Sequence, residues 1–271
     1  MKTCIAVIGL GIIGSRAADC LDKAGYEVTT WNRTPKDRAD SSSSIPEAVS
    51  KADVISLYLK DGHAVRSIID SAKDHLSADH IILNHSTIDL ATTNWLHQEC
   101  QKIGCRFLDA PFTGSKVAAS EGRLVYYVGG DSETLQKTQN ILQATSKEIK
   151  HVGQVGSATV IKLATNLISA STVQVLSEAM AIATHHGIDP AVFTECVASN
   201  ACGSTLSAMK LPSMAAGDYE PHFSLENMLK DSRFALELAK QAGLHTPCLE
   251  TTSKAMTERC EKGDAQLDFT A

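Results

Sequence analysis

Hydrophobic and polar positions follow two textures along the chain. Through residue 155, short apolar runs rich in β-branched residues alternate with amphipathic stretches of helical period. The runs are "CIAVIGL" at 4–10, "YEVTTW" at 26–31, "ADVISLYL" at 52–59, "HIILNHS" at 80–86, "CRFLDA" at 105–110, "LVYYVGG" at 124–130 and "EIKHVG" at 148–153. Residues 11–24 predict a helix with Ile13, Ala17 and Leu21 on one face, and "AVRSIIDSA" and "NWLHQECQKIG" predict two more, the latter ending at Gly104. Strands and helices in alternation, with strands apolar throughout, predict an α/β domain over residues 1–156 built on a doubly wound, largely parallel sheet.

After Gly156 the pattern changes. Residues 157–186 form one helical stretch without Gly or Pro, apolar on most faces, which predicts burial on more than one side. Asp189 and Pro190 open a second helix as N-cap and first-turn residue. "LENMLKDSRFALELAKQAG" predicts a third helix and "TPCLETTSKAMTERCEKG" a fourth. Residues 157–271 are therefore expected to be an all-helical second domain, joined to the first by a long interdomain helix. One stretch departs from the alternation: "NRTPKDRADSSSSIPEAVSKAD" at 32–53 stands where a helix and a third strand normally fit. It reads as an abbreviated connection with a short helix at 46–51, and the serines at 41–44 read as a mobile surface loop.

Composition narrows the classes. The 271 residues are 43% hydrophobic and 21% charged with a formal net charge of -6, which argues against a general nucleic-acid binder. No unbroken apolar run reaches the ~18 residues of a membrane span, so no membrane partner is expected. The start of the chain enters a strand directly, without the features of a signal peptide. Eight cysteines include no C-x-x-C pair: Cys100 and Cys105 are five apart, Cys196 and Cys202 six. The expectation is a cytoplasmic protein with reduced thiols and no metal. His185 and His186 read as the last turn of the long helix before Gly187.

Gly9, Gly11 and Gly14 follow G-x-G-x-x-G at a strand-to-helix turn that includes Ile12 and Ile13. Such glycines allow a tight turn, a close approach of backbone N–H groups to a pyrophosphate, and close packing of helix on strand. The competing reading is a Gly-rich turn with no ligand. The end of the second strand bears on this. A carboxylate there would hold a ribose 2′-OH, but the residues are Asn32, Arg33 and Thr34. The fixed charge and planar fork of Arg33 suit a 2′-phosphate, with Lys36 as a second charge, which favours NADP(H) over NAD(H). An Arg merely solvated at a strand end is the alternative.

Ser86 and Thr87 follow a strand, where open α/β sheets bind ligands, and are placed to face nicotinamide and substrate, or else to cap a helix. Thr113, Gly114 and Ser115 offer hydroxyls and bare N–H groups suited to a carboxylate, with Lys116 beside them; alone, the segment reads as a turn. Lys162 and Asn166, four apart, share one face of the long helix. A Lys in an apolar helix is costly unless paired or functional, and burial would lower its pKa toward a useful acid–base range; a snorkelling Lys is the alternative. The Lys230–Asp231 pair, read alone, is solvated surface charge.

Together, "GLGIIG", "WNRT", "HST", "DAPFTGSKVAASEGRL", "GSATVIKLATN" and "LKDSRFALELAKQAG" resemble, in order and spacing, the β-hydroxyacid dehydrogenases. That family includes 3-hydroxyisobutyrate dehydrogenase, tartronate semialdehyde reductase and glyoxylate/succinic semialdehyde reductase. "NRT" and "GSK" look most like the last branch. The resemblance implies a Rossmann domain and a helical domain with a site in the cleft between them, and a homodimer or homotetramer. It implies Lys162 as catalytic lysine and Asn166 as its substrate-orienting neighbour. It implies Thr113 and Gly114 as the substrate-carboxylate segment and Thr87 as a cofactor and substrate contact. Phe223, Lys230 and Asp231 would close over the nicotinamide and substrate. The implied reaction is NADPH-dependent interconversion of a small aldehyde acid and its hydroxy acid. Thr113 departs from the family's usual Ser and narrows the pocket, and the short 35–50 region alters the rim of the adenine pocket. Rival readings are an NADPH-binding sensor or scaffold, an imine reductase, and a decarboxylating sugar-phosphate dehydrogenase. Lys162 counts against the first two, and the size of the helical domain against the third.

Overall fold

The computed structural model describes residues 2–271, in two compact units that divide between Lys162 and Leu163. In the first unit the chain runs β1 (Cys4–Ile8), α1 (Gly14–Lys23), β2 (Glu27–Trp31), α2 (Ile45–Ser50), β3 (Val54–Leu57), α3 (Gly62–Ala72), β4 (Ile81–Asn84) and α4 (Leu90–Ile103). It continues through β5 (Arg106–Asp109), β6 (Phe112–Thr113), α5 (Lys116–Ser120), β7 (Leu124–Gly129), α6 (Ser132–Gln143) and β8 (Ser146–Gly153). The sheet order is β2-β1-β3-β4-β5-β7-β6, with β8 on the other edge of β7. Strands β1 to β5 pair in parallel; β7 runs antiparallel to β5 and β6 and parallel to β8. The sheet is thus mixed at one end, the rest being parallel as expected.

Side chains alternate strictly across the sheet, which makes it doubly wound. Ala6, Ile8, Ile55, Leu57 and Ile82 face the core shared with α2, α3 and α4. Ile5, Val7, Val54, Leu83 and Leu108 face the core shared with α1, α5 and α6. A strand apolar at every position has no other use for both faces.

The serine stretch is not a mobile surface loop. Ser41 makes a parallel bridge to Thr30, the Thr30 N–H donates to Asp40 O (2.8 Å) and the Ser42 N–H to Thr30 O (2.8 Å). Ser42 is buried and shares a hydroxyl hydrogen bond with Thr29 (2.7 Å). Ser44 caps α2. The stretch is a vestigial third strand on the open edge of β2, and its small hydroxyl residues serve as edge partners and cap.

Helix α7 (Ser157–His185) carries the chain across the division of the two units. It is followed by α8 (Pro190–Ala198), α9 (Thr205–Ala216), α10 (Leu225–Gln241) and α11 (Pro247–Arg259). Ala170, Val173, Leu176 and Met180 of α7 meet Leu211, Met214, Leu225 and Met228 in the core of the second unit. The opposite face leaves Ile161, Ile168, Val175 and Ile182 exposed, at 38, 61, 62 and 64%. Burial on more than one side, expected from the sequence, does not occur within one chain. Helix α7 is also long and apolar enough to cross a membrane by length and mean hydropathy alone, although no unbroken run in it is. Its buried face in a helical core accounts for part of that composition; the rest is the exposed apolar face.

Helix α9 has no counterpart among the helices expected from the sequence, because Pro212 lies inside it. Its ends are well marked: Ser204 and Ser207 form a reciprocal capping box and Gly217 closes it in the left-handed conformation.

The last residues turn back into the second unit. Asp268 is buried and accepts hydrogen bonds from Lys210 Nζ (2.7 Å), the His222 and Phe223 N–H groups (3.0 and 3.1 Å) and the Thr270 hydroxyl (3.0 Å). Burial raises the pKa of this carboxyl, but the hydrogen bond and charge of Lys210 outweigh it and hold the pKa below its ordinary value. The stability Asp268 contributes is therefore present above its ordinary pKa, near 4, and is lost as pH falls further. Lys210→Met strands the buried carboxylate and is expected to cost about 3–5 kcal/mol at pH 7. Urea unfolding followed at 222 nm checks this. The deficit should shrink as pH drops below ~4.

Candidate active site

The glycine turn leaves β1 at Gly9, whose N–H donates to Trp31 O at 2.9 Å and whose φ is +100°. A Cβ at Gly9 would strike the Tyr58 carbonyl oxygen, and one at Gly14 the Gly9 carbonyl oxygen. Both glycines are demanded by the protein's own packing. Gly11 is different: nothing lies within 4 Å of the Cβ it lacks. Its bare backbone and exposed Ile12 border open space at the N-terminus of α1, which has no side-chain cap and no acid in its first turn. Uncapped N–H groups beside an unobstructed glycine backbone fit a dinucleotide pyrophosphate.

Asn32 joins this turn to the end of β2. Its Oδ1 accepts the Leu10 N–H (2.8 Å) and its Nδ2 donates to Thr34 O (2.7 Å). Asn32 thus sets the conformation from which exposed Arg33, Thr34 and Lys36 project. Arg38, which no sequence motif singles out, is not one of these exposed cations. It ion-pairs with Asp19 (2.6 Å) and Asp40 (2.9 Å) and ties the loop to α1.

At the ends of β4 and β5 the sheet presents buried polar groups. Asn84 and Asp109 are register partners, both fully buried. Asn84 Oδ1 accepts the Ser86 N–H (3.2 Å). The Ser86 hydroxyl donates to Leu57 O (3.2 Å) and accepts the Leu59 N–H (2.8 Å). This corrects the expectation that Ser86 faces a ligand: it is buried and staples the loops after β3 and β4. Thr87, next in sequence, is half-buried.

His85, likewise unmarked by the sequence pattern, is fully buried. Its Nδ1 lies 2.8 Å from Ala110 O, and its ring stacks on Tyr58 with centroids 4.5 Å apart. Burial pushes its pKa down to about 4 against the pull of that carbonyl, so it is neutral at pH 7. The Tyr126 ring also lies against it, with ring centroids 4.8 Å apart.

Thr113 ends β6 and is half-buried, and Gly114 is exposed with φ +144°. A Cβ at Gly114 would come within 2.8 Å of the Leu124 side chain. The Ser115 hydroxyl caps α5 by accepting the Ala118 N–H (3.2 Å), which fixes its position and leaves its O–H to donate; Lys116 is the first residue of that helix.

Lys162 is half-buried on α7 and Asn166, one turn on, is buried. Asn166 Nδ2 donates to Asp231 Oδ2 (2.7 Å), and Lys230 Nζ donates to Asp231 Oδ1 (2.7 Å). Asp231 is 1% exposed. The Lys230–Asp231 pair is therefore not solvated surface charge, and Asp231 is not a direct ligand contact. Its two oxygens position an amide and an ammonium. Lys230 also lies 5.0 Å above the Phe234 ring. Phe223 packs edge-on to Phe269, beside the buried Asp268.

Comparison with known proteins agrees with this construction. Residues 4–153 match the family model described as the NAD binding domain of 6-phosphogluconate dehydrogenase. Residues 156–271 match that described as the NAD-binding of NADP-dependent 3-hydroxyisobutyrate dehydrogenase. The chain is 30% identical over 278 residues to the chloroplastic glyoxylate/succinic semialdehyde reductase 2 of Arabidopsis thaliana, covering 98% of this chain and 77% of that protein. It is 28% identical over 282 residues to the NAD-dependent L-serine dehydrogenase of Pseudomonas aeruginosa, covering 98% of this chain and 95% of that one. Among solved structures, 3-hydroxyisobutyrate dehydrogenase of Mycobacterium tuberculosis with L-serine has a TM-score of 0.90 at 26% identity, covering 100% of this chain and 98% of that one. With both of its units matched in order, and with a glycine cradle that fits a pyrophosphate, the chain belongs to the β-hydroxyacid dehydrogenase family and is an oxidoreductase that works with a pyridine nucleotide.

Proposed function

We propose that the protein is an NADPH-preferring reductase that interconverts a small aldehyde acid, of the glyoxylate or succinic semialdehyde type, with its hydroxy acid. The observation that carries this reading is the row on α7: a half-buried ammonium, Lys162, one turn from a buried amide, Asn166, held by Asp231. An amide fixed at one end by a buried carboxylate keeps one orientation, which is what a substrate-aligning group needs.

When bound, the nicotinamide supplies a hydride to the carbonyl carbon. Lys162 donates a proton to the oxygen on which negative charge collects and stabilises that charge beforehand. Thr87, Thr113 and the Gly114 backbone would hold the substrate carboxylate. Gly9, Gly11, Ile12, Ile13 and Gly14 hold the pyrophosphate, with Arg33 and Thr34 on the 2′-phosphate.

Assays with glyoxylate and succinic semialdehyde test the reading. Lys162→Ala is expected to lower kcat by about 10²–10⁴ and to leave NADPH affinity unchanged, since phosphate binding lies elsewhere. Lys162→Arg should not rescue, because a guanidinium does not give up its proton. Wild-type turnover in Lys162→Ala would remove the proton donor from the mechanism.

Cofactor choice is tested by kcat/KM with each nucleotide. NADPH is expected to be favoured at least about tenfold, the worth of one charge-assisted contact of roughly 1.4 kcal/mol. Arg33→Ala should erase the preference by weakening NADPH use alone. Equal kcat/KM for the two nucleotides in the wild-type protein would overturn it.

We also propose a homodimer or homotetramer. Ile161, Ile168, Val175 and Ile182 recur every seven residues on the exposed face of α7, an apolar stripe that a second copy would cover. Light scattering at micromolar concentration should give a multiple of 28.9 kDa, and Ile168→Lys with Val175→Lys should give the monomer. A monomeric wild-type protein would refute it.

A further inference from the structure

Asp109 closes β5 with a carboxylate to which the sequence pattern assigns no role. It is fully buried. Its Oδ2 accepts the N–H groups of Gly156 (3.2 Å) and Thr159 (2.8 Å), and the Thr159 hydroxyl lies 2.9 Å from both oxygens. None of these donors is charged. Burial accordingly pushes the Asp109 pKa up to about 6, against the pull of the Thr159 and Gly156 hydrogen bonds.

The arrangement is unusual within this chain. Helices α3, α4, α6 and α8 begin at an aspartate that caps them from the preceding position: Asp61, Asp89, Asp131 and Asp189. Such a local cap supplies stability at little cost, because it stays near water. The first turn of α7 is held instead by a carboxylate from 47 and 50 residues earlier, on a central strand. A local cap fixes a helix start to its own chain. A remote one fixes it to the sheet.

Two further contacts fix the same turn. The Thr159 hydroxyl also meets the Thr93 hydroxyl of α4 at 3.0 Å. Gly129, the register partner of Asp109 on β7, has no Cβ where one would come within 2.5 Å of the Gln154 carbonyl oxygen and 3.3 Å of the Ala158 nitrogen. The entry to α7 is thus seated on the sheet from three sides. Lys162 lies three residues beyond Thr159, on the adjoining side of the next turn.

We propose that Asp109 is a positioning residue: its carboxylate seats the first turn of α7 on the sheet and so sets where Lys162 stands. The inference rests on Lys162 as proton donor. A carboxylate retained in a buried site, where a local cap would secure the helix, serves to place the later residues of that helix. Errors of about 1 Å in a reacting group cost roughly 10²-fold in rate, so fixing this turn is worth the burial.

The test compares Asp109→Asn, Thr159→Ala, Thr159→Ser and Lys162→Ala, with NADPH and succinic semialdehyde or glyoxylate as probes. Asp109→Asn is expected to lower kcat by roughly 10–100-fold, with NADPH affinity by fluorescence titration within about twofold of wild type. Thr159→Ala should lower kcat less, and Thr159→Ser should restore it. The distinguishing readout is the solvent deuterium isotope effect on kcat. It should rise in Asp109→Asn and Thr159→Ala, because a misplaced donor makes proton transfer limiting, whereas a mere loss of folded protein leaves it unchanged. If Asp109→Asn fails to fold, the Thr159 pair carries the same test. Wild-type kcat in the folded variants, or a lowered kcat with an unchanged isotope effect, overturns the inference. If Lys162→Ala is crippled while these variants are not, only the inference fails. If Lys162→Ala turns over like wild type, the reading of Lys162 fails and takes the inference with it.

Discussion

One rung of the sheet organises everything around the candidate site. Register pairing places Trp31, Ile8, Leu57, Asn84, Asp109 and Gly129 in a single row across six strands. The loops that carry Gly9, Asn32 and Thr87 leave from this row, whereas Thr113 and Gly114 follow the separate strand β6. Asn32 follows Trp31, Gly9 follows Ile8, Tyr58 follows Leu57 and His85 follows Asn84. Backbone ladders hold strand ends more precisely than loops alone can. The chemistry therefore inherits its precision from the hydrogen-bond register.

The row must also let several backbones converge. Where they approach closest, the chain has no side chain: Gly9 against the Tyr58 carbonyl, Gly14 against Gly9 itself, Gly129 against the turn before α7. Where they stand apart, a polar side chain bridges the gap, as half-buried Asn32 and buried Asn84, Ser86 and Asp109 do. Gly11 obeys neither rule. No described neighbour fills the space its missing Cβ leaves, and Ser15 of the following helix turn bonds to its carbonyl, so its bare face is open to a ligand.

Much of this was legible in the chain and some was not, for physical reasons. The parallel strands announced themselves because burial on both faces makes them short, predominantly apolar runs rich in β-branched residues. Gly9 and Gly14 announced themselves by spacing. Asp109 and His85 did not, and Ser86 was read as facing a ligand, because a polar residue at a strand end looks the same whether it meets solvent or a buried backbone group. The same ambiguity hid the role of Asp231, whose neighbour Lys230 made it resemble surface charge. Helix α9 was hidden because Pro212 outweighed the Ser204–Ser207 and Gly217 boundary signals. The serine run misled because small hydroxyl residues suit a loop and a sheet edge equally.

His85 and Asp109 show what the rung costs. Both are buried without a counter-ion among the contacts that hold them, and burial shifts each pKa in the direction that favours the group's own neutral form, to about 4 for His85 and about 6 for Asp109. The signs of the linkage are opposite. His85 has its folded pKa lowered, so its contribution is complete above its ordinary pKa near 6.5 and is lost as pH falls toward 4. Asp109 has its folded pKa raised, so its contribution is complete below its ordinary pKa near 4 and is lost as pH rises toward 6. Across the interval between, the contribution Asp109 regains as pH falls opposes the one His85 loses. At pH 7 His85 is neutral and the Asp109 carboxylate mostly ionised. Its negative charge then faces the positive end of the α7 dipole, which is the arrangement a helix N-terminus favours. The buried charge is thus placed where the backbone itself supplies the compensating field, one helical turn before Lys162.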